Sequence, residues 1–263
     1  MSTVTVVPTV ELTNVPPRVR LDVTDTGTPN LFATTVNRLD PDGVLRPVRT
    51  TDGNPLTLST SGSDRVGLLY DYEMPYGASV SYSTVESPGT VSAAVTVDES
   101  RAWLVHPGVP ALSMPITIAS IGARTRRAQR GIFYPMGRST PVVQTDGQRK
   151  AAEYSLNIYT ATDDDRGRID ALFEDAGVLL LNVPASKGWG ITAEYVSVGD
   201  MSEARVANFL GYTDRTWELP LVVVDRPSGG SQSQRTLADL LVYPTLADLQ
   251  AAYPTLADVL AGP

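Results

Sequence analysis

The feature that most constrains this chain is its punctuation. Over residues 1–97, short segments in which apolar and polar residues mostly alternate are cut apart by turn-forming residues. The segments are Val4–Val7, Val19–Val23, Leu31–Val36, Val44–Val48, Leu56–Leu58, Val66–Tyr72, Ser79–Val85 and Val91–Val97. The breaks include Pro16-Pro17, Gly27-Thr-Pro29, Asp40-Pro-Asp-Gly43, Asp52-Gly-Asn-Pro55, Ser61-Gly-Ser-Asp64, Pro75-Tyr-Gly77 and Pro88-Gly89. Proline and glycine this frequent do not let a helix propagate, and a period of two places alternate side chains on opposite faces of a strand. Repeated strand signals at roughly 8 to 12-residue spacing predict a β-sandwich.

Residues 98–112, with Trp103-Leu-Val-His-Pro-Gly-Val-Pro110, read as a junction in which Trp103 is a packing anchor. A second, mainly β domain is expected over 113–226, with strands at Pro115–Ile118, Ile132–Tyr134, Pro141–Val143, Glu153–Tyr159, Trp189–Val198, Ala204–Tyr212 and Trp217–Val224. In Glu153–Tyr159, Tyr154, Leu156 and Ile158 share one face and Glu153, Ser155 and Asn157 the other. One helix interrupts the strands, over 163–176. Thr162 is a suitable N-cap, with Asp165 three residues on. Asp163, Asp164 and Asp165 complement the positive end of the helix dipole. Ile169, Leu172, Phe173 and Ala176 form an apolar stripe, and Gly177 is expected to supply a left-handed C-terminal cap. Val178–Leu181 follows as a short buried strand. The pattern predicts a small barrel or sandwich with the helix covering an opening or edge.

Residues 227–235, Pro-Ser-Gly-Gly-Ser-Gln-Ser-Gln-Arg, have linker composition. A repeat occupies 236–263: Thr236-Leu-Ala-Asp239, Thr245-Leu-Ala-Asp248 and Thr255-Leu-Ala-Asp258, the last two preceded by Tyr-Pro. Each Thr-x-x-Asp can cap a very short helix. Segments this short need a docking surface, and Leu246, Leu249, Leu256 and Leu260 are the candidate docking side chains.

Few kinds of chemistry fit the composition. The chain has no cysteine, which excludes disulfides, thiolate catalysis and Cys-ligated metals. It has one histidine, His106, and neither a Gly-x-Ser-x-Gly elbow nor a phosphate-cradling or dinucleotide glycine motif. His106 next to Pro107 therefore reads as structural. Asp163–Asp165 do not match the spacing of an EF-hand loop, and helix capping accounts for them. No pair of carboxylates stands out for glycoside hydrolysis. No catalytic residue, cofactor or metal is expected, and no motif supports a cell-wall hydrolase. A net charge of −8 speaks against general nucleic-acid binding. No apolar run approaches the roughly 18 residues of a membrane span, and the N-terminal sequence lacks signal-peptide features. Nineteen of the 21 basic residues are arginine, four of them at Arg124, Arg126, Arg127 and Arg130. A cluster without interleaved aromatics on an acidic chain reads as a contact with an acidic protein surface, or as a solvated strand face.

Val80-Ser-Tyr82 after Tyr70-Asp-Tyr72 resembles the late strands of an immunoglobulin or fibronectin type III module. Several longer motifs point further: Trp103-Leu-Val-His-Pro-Gly-Val-Pro-Ala-Leu112, Tyr134-Pro-Met-Gly-Arg138, Pro141-Val-Val143, the Leu run from Gly177, Trp217-Glu-Leu-Pro-Leu221 with Val224-Asp-Arg-Pro227, and the Tyr-Pro-Thr-Leu-Ala-Asp repeat. Together they resemble minor tail proteins of long-tailed, siphovirus-type phages of actinobacteria, over nearly the whole chain. The resemblance implies a distal-tail-like protein, with a tail-tube-like split β-barrel plus one helix and an added β-sandwich. In distal tail proteins the tube-like domain usually comes first, whereas here the sandwich does. It also implies a ring, usually sixfold, that joins the tail tube to the tip or baseplate hub and continues the channel through which DNA leaves. The partners implied are other copies of the chain, the tail-tube protein, tip or hub proteins and the tape-measure protein. Membrane is not among them, and DNA is met only in transit. The location implied is the virion, assembled in the host cytoplasm. An acidic wall suits a DNA conduit, since a basic one would hold phosphates. Arg124, Arg126, Arg127 and Arg130, Asp163 to Asp165, and the four docking leucines are the expected interface residues, the arginines and aspartates as mutual partners within or between chains. The alternative role is a receptor- or carbohydrate-binding minor tail protein, for which Tyr70, Tyr72, Tyr76 and Tyr82 are the expected exposed aromatics.

Overall fold

A computed structural model of the chain describes residues 3–26, 31–61, 63–207 and 211–231. The C-terminal repeat, with Leu246, Leu249, Leu256 and Leu260, lies outside the described residues, as do 232–235 of the expected linker. The chain is mainly β, with 49% of the described residues in strands. Among the described residues it forms two compact units, the first drawing on 3–115, 180–193 and 227–231, the second on Ile116–Leu179 and Glu194–Arg226.

The first unit begins with β1 (Val4–Glu11), β2 (Arg18–Asp25), β3 (Ala33–Thr34), β4 (Val36–Leu39), β5 (Leu45–Pro47), β6 (Leu56–Thr57), β7 (Ser59–Ser61), β8 (Asp64–Asp71), β9 (Ser79–Thr84), β10 (Val95–Thr96) and β11 (Ala102–Val105). One four-stranded sheet has the order β1-β2-β8-β7, a second β10-β9-β4-β5, and β3 pairs with β6. The expected alternation is clearest in β2, where Val19, Leu21 and Val23 are buried and Arg20 pairs across the other face with Asp22 at 2.8 Å. Strand positions shift where the apolar pattern is thin: Leu31–Val36 yields only β3 before β4 extends to Leu39, and of Val91–Val97 only Val95–Thr96 pairs.

Buried charge is fully engaged in this unit. Arg38 of β4 donates to Asp40 and, from Nη1, to both oxygens of Asp71 at 2.9 and 3.0 Å. Asp71 also accepts from Tyr82 Oη at 3.1 Å and from the Glu73 amide at 2.9 Å. A buried ion pair is tolerated only when its remaining lone pairs are satisfied in this way. Burial pushes the Tyr82 hydroxyl well above its ordinary range, and the Asp71 carboxylate it bonds adds to the shift.

Two later segments complete the unit. Strand β15 (Leu179–Asn182) runs antiparallel to β11, with Trp103 opposite Asn182 and Val105 opposite Leu180. Asn182 is fully buried; its Oδ1 accepts from the Tyr76 amide at 3.1 Å and its Nδ2 donates to the Met74 carbonyl at 2.7 Å. These pairings place Leu180–Ala193 in the first unit, although the sequence groups them with the second domain. Pro227–Ser231, read as the start of a linker, is held as well: Arg49 donates to the carbonyls of Pro227 at 2.8 Å and Gly229, and the Ser231 amide donates to Thr50 O at 2.8 Å. At Gly230 a Cβ would stand 2.1 Å from Thr51 O, so only glycine fits this approach.

The second unit is built on β12 (Met114–Ile121), β13 (Thr125–Phe133), β14 (Val142–Thr160), α1 (Asp163–Asp175), β16 (Ala193–Val198), β17 (Ser202–Arg205) and β18 (Arg215–Val223). The sequence marks two strands where β14 is continuous over 19 residues. Its first half pairs with β13, and its second half with β12 on one side and β18 on the other. In that second half Ala152, Tyr154, Leu156 and Ile158 are buried, as the alternation predicts. β18 answers with buried Trp217, Leu219 and Leu221 and pairs onward with β16 and β17.

Helix α1 packs on β14 through fully buried Ile169 and Leu172. Thr162 Oγ1 accepts from the Asp165 amide at 3.1 Å and donates to Asp165 Oδ2 at 2.7 Å, so the predicted N-cap forms. The C-terminus differs from expectation. The helix stops at Asp175, Ala176 is extended, and Gly177 is not among the left-handed glycines. The Ala176 amide donates to Leu172 O, and the chain bends at Gly177 and Val178 before entering β15.

Replacing Asn182 by Leu keeps the branched shape of the side chain, at somewhat larger volume, but strands two buried backbone groups. The expected loss is about 3 kcal/mol of unfolding free energy, read from urea denaturation of wild type and variant. A loss under about 1 kcal/mol would show that the clamp contributes little.

Candidate interaction surfaces

The first half of β14 and its partner β13 form a ribbon with an unusual composition. Between Gly122 and Ala151 the residues with assigned exposure are exposed, apart from half-buried Gly122 and Gly131. A side chain of a packed sheet covers one face; here both faces are open. Two register shifts, between Arg126 and Ala128 and between Ala128 and Arg130, kink the ladder. The tip is a turn in which the Arg138 amide donates to Pro135 O at 3.2 Å and Gly137 adopts φ +81°, a conformation that favours glycine. The turn carries Tyr134-Pro-Met-Gly-Arg138, one of the motifs singled out in the sequence. Around it Phe133 is 57%, Tyr134 72% and Met136 103% exposed, with Ile132, Val142 and Val143 also exposed.

The ribbon is also basic. From 122 to 151 it carries Arg124, Arg126, Arg127, Arg130, Arg138, Arg149 and Lys150 against Asp146 alone, a net +6. Arg124 donates to both oxygens of Glu194 at 2.9 and 3.0 Å and lies 5.2 Å from the Tyr154 ring centre. Arg127 pairs with Glu153 at 2.9 Å. Arg126 and Arg130, with Arg138, Arg149 and Lys150, form no ion pair among the described residues.

Asp163, Asp164 and Asp165 start α1 and meet none of these arginines within the chain. Asp165 is engaged by Thr162, Asp163 stands 3.8 Å from Arg215, and Asp164 is exposed without an ion-pair partner among the described residues. Two of the basic groups near the helix, Arg166 and Arg215, are already drawn to Glu203 of β17: its Oε1 accepts from Arg166 Nε and Arg215 Nε, both at 2.9 Å. The Arg166 hydrogen bond, the largest cause, holds the Glu203 carboxyl below its ordinary 4.5. The outward side of α1 is consequently left acidic, with six carboxylates against two arginines over 163–175.

His106 is a structural residue by geometry. Its Nδ1 accepts from the amides of Gly108 at 3.1 Å and Val109 at 2.8 Å, and its own amide donates to Ser113 Oγ at 2.9 Å. The ring thus organises the turn that follows β11.

The tyrosines expected as exposed aromatics are instead interior. Tyr70 and Tyr72 are less than a tenth exposed, and Tyr76 and Tyr82 are fully buried. Arg18 stacks 3.8 Å from the Tyr70 ring centre and donates to Tyr72 Oη at 3.1 Å. Tyr82 Oη donates to Asp71, so three of the four serve buried charges, which a period-two reading cannot anticipate. Among the described residues no group of three or more metal-ligating side chains is placed to hold an ion, and no helix is long and apolar enough to cross a membrane. No protein-family model matches the sequence, and neither does any curated protein.

Two outcomes test these local assignments. A folded-state pKa below 4.5 means that the Glu203 contribution is present above that value and fades as pH falls through the lower one. Glu203→Gln should therefore lower stability at pH 7 by about 0.5 to 1 kcal/mol, and by less at pH 3, in paired thermal melts. His106→Ala should cost about 2 kcal/mol, and His106→Asn, whose Oδ1 can replace Nδ1 as acceptor, should recover part of it. Equal losses for Ala and Asn would remove the turn-organising role.

Proposed function

We propose that this chain is a structural component of a phage tail tip, a distal-tail-like protein whose copies form a ring, sixfold as the resemblance implies, between the tail tube and the tip or hub. DNA passes through the ring opening, and tube, hub and tape-measure proteins are its neighbours in the virion. The reading rests on one observation above all. In the second unit an otherwise β body carries a helix packed on its longest strand, and that strand continues into an exposed ribbon whose tip bears a motif of the resemblance. This is in keeping with a tail-tube-like split barrel and helix. The two four-stranded sheets of the first unit are in keeping with an immunoglobulin- or fibronectin-like β-sandwich.

The receptor- or carbohydrate-binding role has lost the exposed tyrosines that motivated it, and no other observation favours it.

The test is electron microscopy of the purified chain, alone and with the tail tubes of its phage. Rings with a central opening seated on the tube end are expected. A strict monomer that joins no tail subassembly would sink the proposal. Truncation after Ser231, which keeps the contacts to Arg49 and Thr50, should abolish incorporation if the leucine repeat is a docking element. Normal incorporation would make the repeat dispensable.

A further inference from the structure

We infer that the ribbon Gly122–Ala151 is an assembly arm that docks on the acidic outer side of α1 in a second copy of this chain. The inference deepens the ring reading by naming the two surfaces that meet.

The first argument is exposure. A two-stranded ribbon open on both faces is marginal in water by itself. Nine-residue β13 projects about 30 Å when extended, and at its end six large apolar side chains, Ile132, Phe133, Tyr134, Met136, Val142 and Val143, lie exposed together. An apolar cluster on a polar stalk is the composition of a surface that becomes covered.

Charge selects what covers it. The arm carries +6, so the remainder of the chain carries −14 within the total of −8. Five of the seven cations on the arm have no ion-pair partner among the described residues, whereas Arg166 and Arg215 at α1 are engaged by Glu203. The second unit thus presents a cationic surface and, on α1, a net −4 surface bearing exposed Asp164 and Glu174. A polyanion such as nucleic acid would meet the arm but be repelled by the −14 remainder. A second copy satisfies both surfaces at once. Because arm and acceptor differ, the contact is heterologous, and such contacts propagate around a ring when the rotation closes.

The experiment is a charge swap followed by sedimentation equilibrium of the full chain at low and high salt. The arm variant is Arg126→Glu with Arg130→Glu and Arg149→Glu; the acceptor variant is Asp164→Lys with Glu174→Lys. Wild type should self-associate in a salt-sensitive manner. Each variant alone should associate at least about 100-fold more weakly, since the altered surface falls to zero net charge and its substituted side chains face like charges. An equimolar mixture should regain association, because each variant's arm then meets an opposite acceptor. Thermal melts check that both variants fold, and the milder Asp164→Asn with Glu174→Gln should weaken association by a smaller factor if the lysines disturb the helix. The inference is overturned if wild type stays monomeric, if the variants associate as wild type does, or if the mixture gains nothing. It is also overturned if the arm variant loses only binding to a labelled DNA duplex. Swap-dependent association without seating on tail tubes would leave the arm intact and sink the ring proposal; tube-seated rings insensitive to the swap would do the reverse.

Discussion

Strand β14 obliges one stretch of 19 residues to live in two solvents. From Ala152 onward its alternate side chains are buried and both of its edges are paired, which fixes register strongly because a one-residue slip would turn every buried side chain outward. Before Ala152 it has a single partner and no covered face. The helix, β12 and β18 all take their positions from the buried half. The exposed half inherits direction and rigidity from it, which allows a thin ribbon to hold a defined tip.

Much of the buried framework was legible in the sequence. Alternation located β2, the inner half of β14 and β18, because each sets a regular apolar face against a core. Thr162 and the aspartates located the start of α1, since capping is a local interaction among residues a few positions apart. Its end was less legible. Gly177 offered a left-handed turn, but the helix ends on extended Ala176 and the chain reaches β15 through a bend without positive φ at Gly177, so the tertiary path overrode the local preference.

The misreadings share a cause. The outer half of β14 has no apolar alternation because neither face is buried, so the period that reveals a strand is absent. Tyr70, Tyr72, Tyr76 and Tyr82 stand among polar neighbours, yet all four are interior: the ring of Tyr70 and the hydroxyls of Tyr72 and Tyr82 serve the buried charges Arg18 and Asp71, and Tyr76 is fully buried. Pro227–Ser231 has the composition of a loose linker, but glycine there provides clearance for close backbone approach. In each case the deciding fact is the burial or exposure set by the tertiary fold, which a window of neighbouring residues does not show.

The Asn182 clamp has a consequence for the order of events during synthesis. Met74 and Tyr76 leave the ribosome more than a hundred residues before the side chain that satisfies them. The first unit therefore cannot finish folding as an N-terminal piece; its last strand arrives only after most of the second unit has been made. Contacts of such long sequence separation slow folding, and they turn the interval before Leu180 emerges into a period of exposure for the surface around Trp103. Fragments cut at the apparent boundary near residue 113 would perpetuate that unfinished state.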